Sequence, residues 1–82
     1  MPIRIQLFAG LADEVGAGSL SFDLPAEDYR LKDLKAELTR LYPGAERFLL
    51  QSLTSVNRSY APEDWALRDG DEVSLIPPLS GG

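Results

Sequence analysis

Apolar and polar residues alternate from the start of the chain: Ile3, Ile5 and Leu7 are interleaved with Arg4 and Gln6, and Phe8 follows in the polar phase. A period of two predicts a β-strand with one buried face, and it puts Phe8 on the side opposite the three aliphatic residues. Gly10 and Gly16-Ala17-Gly18 punctuate the next stretch. A connection of about ten residues is expected there, with a helical turn across Leu11 to Val15. Leu20, Phe22 and Leu24 then alternate with Ser19, Ser21 and Asp23, a second strand closed by Pro25. The period changes at Leu31, where Leu31, Leu34, Leu38 and Leu41 form one stripe at helical spacing and Lys32, Asp33, Lys35, Glu37 and Arg40 cover the other side. Asp28 is the expected N-terminal cap of this helix, and Pro43-Gly44 its stop.

Beyond the helix the signals are shorter. Phe48, Leu49 and Leu50 show no period, and Gln51 to Asn57 reads as a third strand with Asn57 opening a turn. Pro62-Glu63-Asp64 suits a short helical turn, and Trp65 and Leu67 are expected to lid the core. In Asp69-Gly70-Asp71, Gly70 supplies a positive φ and Asp69 caps the turn. Val73 to Ile76 is the last strand, with Val73 and Leu75 in one phase and Ser74 and Ile76 in the other, and Pro77-Pro78 ends it because neither residue can donate to a ladder. The order β-β-α-β-β, with one helical stripe for one sheet face, describes a single α+β domain with a mixed sheet, residues 78–82 forming an extended flexible tail.

Composition narrows the chemistry. Eighty-two residues make one small domain with a thin core, and 44% apolar with 26% charged residues is ordinary globular usage. Eight basic against thirteen acidic residues give a net charge of -5. That argues against a nucleic-acid surface, which needs clustered Lys and Arg, and points to a partner that is basic where the two meet. No apolar run approaches the roughly 18 residues of a membrane span, and no signal-peptide core opens the chain, so a cytoplasmic protein is expected. The chain has no Cys and no His, hence no thiol nucleophile, no thiolate metal ligand and no imidazole base. No metal site is expected: Glu63-Asp64 has too few neighbouring ligands, and Lys32 and Lys35 on the polar face of the helix are not expected to be catalytic. Asp71 and Glu72 form an acidic turn that either guides the tail or is simply solvated.

After Pro78 the chain continues Leu79-Ser80-Gly81-Gly82. Four residues reach about 13–14 Å when extended. The prolines keep the root extended, and two glycines without Cβ atoms suit threading a carboxylate into a narrow slot. Chance alone produces two terminal glycines in roughly one chain in 200, and many chain ends simply fray. The diproline exit and the lack of any other group suited to covalent chemistry favour a functional tail.

These residues also resemble a family. Asp69-Gly70-Asp71-Glu72-Val73, Pro77-Pro78 and the final Gly81-Gly82 are similar to the C-terminal signature of the molybdopterin synthase small subunit (MoaD type), within the MoaD/ThiS superfamily of sulfur carriers. Ile3-Arg4-Ile5-Gln6-Leu7-Phe8-Ala9 resembles the family's first strand, and Val56-Asn57 its middle strand-to-turn step. Ser55, where an apolar residue is more usual, and Arg30, where a small capping residue is common, depart from it without touching the tail. The resemblance implies a ubiquitin-like β-grasp fold. It implies that the chain is no enzyme alone and binds no cofactor, ATP being used by an E1-like activating enzyme that adenylates the Gly82 carboxylate. A persulfide enzyme then yields a thiocarboxylate. The carrier would deliver sulfur to precursor Z in a heterotetramer with the synthase large subunit, Gly81 serving tail threading. In a β-grasp sheet the first and last strands are neighbours, so Phe8 and Ile76 would meet on the exposed face, joined by Tyr60. Together with Pro78, Leu79 and Ser80 they are the expected partner contacts, although single exposed apolar residues are also normal. Other readings are a carrier for thiamine thiazole, tRNA thiolation or a cysteine pathway, a ubiquitin-like modifier joined to lysines, and a plain interaction domain.

Overall fold

The computed structural model describes residues 1–78. Its elements are β1 (Ile3–Leu7), α1 (Ala9–Val15), β2 (Ser19–Phe22), α2 (Leu31–Leu41), a 3-10 turn (Pro43–Ala45), α3 (Glu46–Gln51), β3 (Leu53–Val56), β4 (Ser59–Tyr60) and β5 (Glu72–Ile76). The strands lie in the order β2-β1-β5-β3-β4. β1 and β5 run parallel at the centre, and every other pairing is antiparallel. This is the expected mixed sheet, widened by a two-residue strand too short to leave a pattern.

The alternating aliphatics explain the layers. Ile3, Ile5 and Leu7 of β1 and Val73 and Leu75 of β5 are buried, and Leu31, Leu34 and Leu38 of α2 close over them. Each such side chain contributes about 1.5–3 kcal/mol when removed from water. Leu11, Leu49, Val56 and Leu67 complete the cluster. Leu41, the fourth residue of the helical stripe, remains 48% exposed at the helix end. β2 stops at Phe22, whereas Leu24 was expected within it. Leu24 instead leans on the core from the loop.

The start of α2 is capped by remote backbone. Arg30 occupies the N-cap position, and its N–H donates to Asp33 Oδ2 at 2.9 Å. The N–H groups of Leu31 and Lys32 donate to the carbonyls of Trp65 and Glu63 at 3.0 and 2.9 Å. These satisfy donors that every helix start leaves open. Asp28, the expected cap, pairs instead with the Arg30 guanidinium at 3.1 Å. The strap from residue 61 to 68 is held further by Lys35 Nζ on Glu63 Oε1 at 2.6 Å and by Arg30 Nη1 on the Asp64 carbonyl at 2.8 Å. Leu67 lids the core as expected. Trp65 does not: its side chain is 46% exposed, and its carbonyl does the structural work.

Pro43 does stop α2, but Gly44 does not relieve the end, because the chain passes at once into the 3-10 turn and α3. Only six residues long, α3 shows less than two periods, so Phe48-Leu49-Leu50 carries no pattern, and Gln51 belongs to this helix and not to the next strand. Asn57 and Arg58, with φ of 52° and 72°, form the two-residue hairpin between β3 and β4. Asn57 Nδ2 donates to Asp71 Oδ1 and its Oδ1 accepts from the Glu72 N–H, both at 3.0 Å, clipping the hairpin to the start of β5. Gly70 takes its positive φ of 82°. Asp71, rather than Asp69, closes that turn by accepting the Arg68 N–H at 2.9 Å.

Two stability changes are expected in denaturant titrations. Thr54 Oγ1 is buried without a hydrogen-bond partner among the described residues, so Thr54→Val is expected to stabilise by about 1 kcal/mol. Arg58→Gly creates the Asn-Gly pair that this hairpin geometry favours and is expected to add about 0.5–1 kcal/mol.

Candidate docking face and tail root

Strand register arranges the outer sheet face, the one away from α2, into three rows. The pairs Leu7–Leu75 and Ile76–Leu53 put Phe8, Ile76 and Leu53 in successive strands of one row, at the end where β1 and β5 both finish. The neighbouring row runs Ser19, Gln6, Ser74, Ser55 and Tyr60. The third holds Ser21, Arg4 and Glu72. Polarity is therefore graded along the strands, from charged through uncharged polar to apolar.

The apolar row is where the tail leaves the fold. Phe8 is 43% exposed, Ile76 37%, Leu53 58% and Tyr60 74%. Tyr60 pairs with Ser55 and is thus a diagonal neighbour of Leu53 on the same face. Pro77 is buried and Pro78 exposed, so the first proline anchors the root of the tail to the body. Of the expected site residues, the structure brings Phe8, Ile76 and Tyr60 onto one face and Pro78 to its border. Leu79, Ser80, Gly81 and Gly82 lie outside the described residues.

Leu53 is an exposed apolar residue of this row that the periodicity reading does not single out. Its signal was present: Val56 has to face the core, and counting back three residues turns Leu53 outward. The end of α3 at Gln51, directly before β3, hides that parity in the sequence.

Burial, aided by nearby Glu37 and Asp33, pushes the Tyr29 phenol up, and the hydrogen bond from Arg40 draws the Glu37 carboxyl down. Both belong to the surroundings of α2. A cleft of about 510 Å³ lies at the opposite end of the sheet from the tail root, lined by Asn57, Trp65, Ala66, Arg68 and Asp71. Its carboxylate and amide are already engaged with each other. Among the described residues no three Asp or Glu side chains converge to hold a metal ion, and no helix is long and apolar enough to cross a membrane.

A model of the ThiS family matches residues 5–82, nearly the whole chain. The chain belongs to the ThiS family. Curated relatives named molybdopterin synthase sulfur carrier subunit include one from Dictyostelium discoideum, 35% identical over 96% of this chain and 94% of its own, and one from Chlamydomonas reinhardtii, 34% identical over all of both chains. Solved structures agree. SAMP1 from Haloferax volcanii superposes with a TM-score of 0.85 at 28% identity, all of both chains being covered. Subunit 1 or 2 in the complex of the molybdopterin-converting factor subunits from Helicobacter pylori superposes with a TM-score of 0.68 at 25% identity, again over all of both chains. This ThiS-family chain has the ubiquitin-like β-grasp fold, with α2 packed on one face of its five-stranded sheet.

Proposed function

We propose that this chain is the sulfur carrier subunit of a molybdopterin synthase and that its Gly82 carboxylate is the group that carries sulfur. The observation that carries this reading is positional: the apolar row Phe8–Ile76–Leu53 borders the root of a tail ending in Gly81-Gly82. A partner that seats on the row also receives the tail. The full-length relatives named as sulfur carrier subunits, and the Helicobacter pylori complex of two converting-factor subunits, support it.

The chemistry is the one the family resemblance implies, and the composition of the chain is compatible with it. Without Cys or His, the chain offers the terminal carbonyl carbon as the place to attach sulfur. An E1-like partner would join the Gly82 carboxylate to AMP from ATP, releasing pyrophosphate and making the carbon electrophilic. The outer sulfur of a persulfide would attack that carbon and expel AMP, and a thiol would then break the sulfur–sulfur bond, leaving a disulfide on the donor side and a thiocarboxylate on the carrier. The catalytic groups belong to the partners, and the large subunit would pass the sulfur to precursor Z to build the dithiolene. Pro77 and Pro78 limit the bending of the root, so less freedom is lost on insertion. The thiocarboxylate is anionic at neutral pH, so a basic slot in each partner complements both the tail and a body of net charge -5.

Incubation with ATP, the activating enzyme and a sulfur donor is expected to exchange one oxygen for sulfur at Gly82 in the intact mass. Addition of the large subunit and precursor Z is then expected to yield molybdopterin. An unchanged mass with a competent activating enzyme would overturn the carrier reading, while a thiocarboxylate that never yields molybdopterin would assign it to another pathway. A ladder of lysine conjugates in cells would favour a modifier. Deletion of Gly82 is expected to abolish transfer and leave the unfolding midpoint unchanged. Phe8→Ala and Ile76→Ala are each expected to weaken large-subunit binding by about 1–2 kcal/mol in calorimetric titrations.

A further inference from the structure

The chain turns out of β1 through a single residue. Phe8 is extended, with φ −131° and ψ 156°, and Ala9 has φ 51°. In that left-handed region the Cβ crowds a neighbouring carbonyl oxygen, and residues other than Gly, Asn and Asp seldom adopt it. Asn57 and Arg58 share the sign of φ, but they form a hairpin whose geometry requires it. Ala9 belongs to no such hairpin.

The turn is fixed on both sides. The Phe8 carbonyl accepts the N–H groups of Leu11 and Ala12 at 3.1 and 3.3 Å. One residue further, a Cβ on Gly10 would lie 2.6 Å from the Phe48 ring, so α1 passes against α3 immediately after the turn. Leu11 follows into the core. These contacts require residue 9 to sit in the left-handed region, and its side chain sets how wide a range of angles it samples there. Glycine would adopt that conformation without steric cost. The Ala9 residue is exposed, and core packing does not account for its methyl group. What alanine adds is a narrower range of backbone angles, and the residue it restrains on its N-terminal side is Phe8.

We propose that Ala9 is a positioning residue, whose restrained left-handed backbone holds Phe8 in the row with Ile76 and so preorganises the face that meets the tail-accepting subunit. This rests on the docking reading given above. A contact already held in place loses less freedom when the partner arrives.

The test compares Ala9→Gly and Phe8→Ala with the parent chain by denaturant unfolding, amide relaxation and calorimetric titration of the cognate large subunit. Ala9→Gly is expected to be at least as stable as the parent, to show lower order parameters at residues 8 and 9, and to bind about two- to fivefold more weakly. Unchanged affinity in Ala9→Gly, alongside weakened binding in Phe8→Ala, overturns the positioning role and leaves the docking reading intact. Unchanged affinity in both variants overturns the docking reading, and the role of Ala9 with it.

Discussion

The parallel pairing of β1 with β5 is the contact on which the rest of the molecule depends. It joins the first and last strands of the chain at the centre of the sheet. Both strands carry aliphatic residues toward α2, so the pairing is sealed by the core it helps to build. Because the strands run the same way, they finish at the same end. The residue that follows β1 and the segment that follows β5 are therefore neighbours, although nearly seventy positions separate Phe8 from Ile76. An antiparallel pair would have sent them to opposite ends.

The second determinant is the way this thin-cored fold closes. The strap over the start of α2 meets donors that side chains left open, and the Asn57–Asp71 clip holds the hairpin to the head of β5. Both lie toward the end of the sheet where β5 begins. The other end carries the exposed apolar row, the strained Ala9 and the tail root. The hydrogen-bonded clips gather at one pole and the exposed apolar residues at the other.

Sequence periodicity revealed the elements whose burial repeats over several residues. β1, α2 from Leu31 to Leu41 and the inward phase of β5 were legible because one face of each is buried along its length. The parity that put Phe8 and Ile76 on the outer face held for the same reason. α3 and β4 were not legible, since six and two residues span too little of a period. Only one of the two caps is tertiary: Asp28 and Asp69 both have the right chemistry for capping, but the donors at the start of α2 go to the remote Trp65 and Glu63 carbonyls, while in the turn at Gly70 the choice falls between two aspartates two residues apart and Asp71 takes the Arg68 N–H. No local pattern records a carbonyl that arrives from 30 residues away.

That remote capping bears on how the chain assembles as it leaves the ribosome. When Leu31 to Leu41 emerges, the carbonyls that complete its first turn have not yet been synthesised, and a helix of eleven residues is marginal alone. The helix then gains its cap only as residues 63 to 65 appear, shortly before β5 and its pairing with β1. Helix, strap and central strands are thereby drawn into one late cooperative step, and an early nascent fragment holds little lasting order.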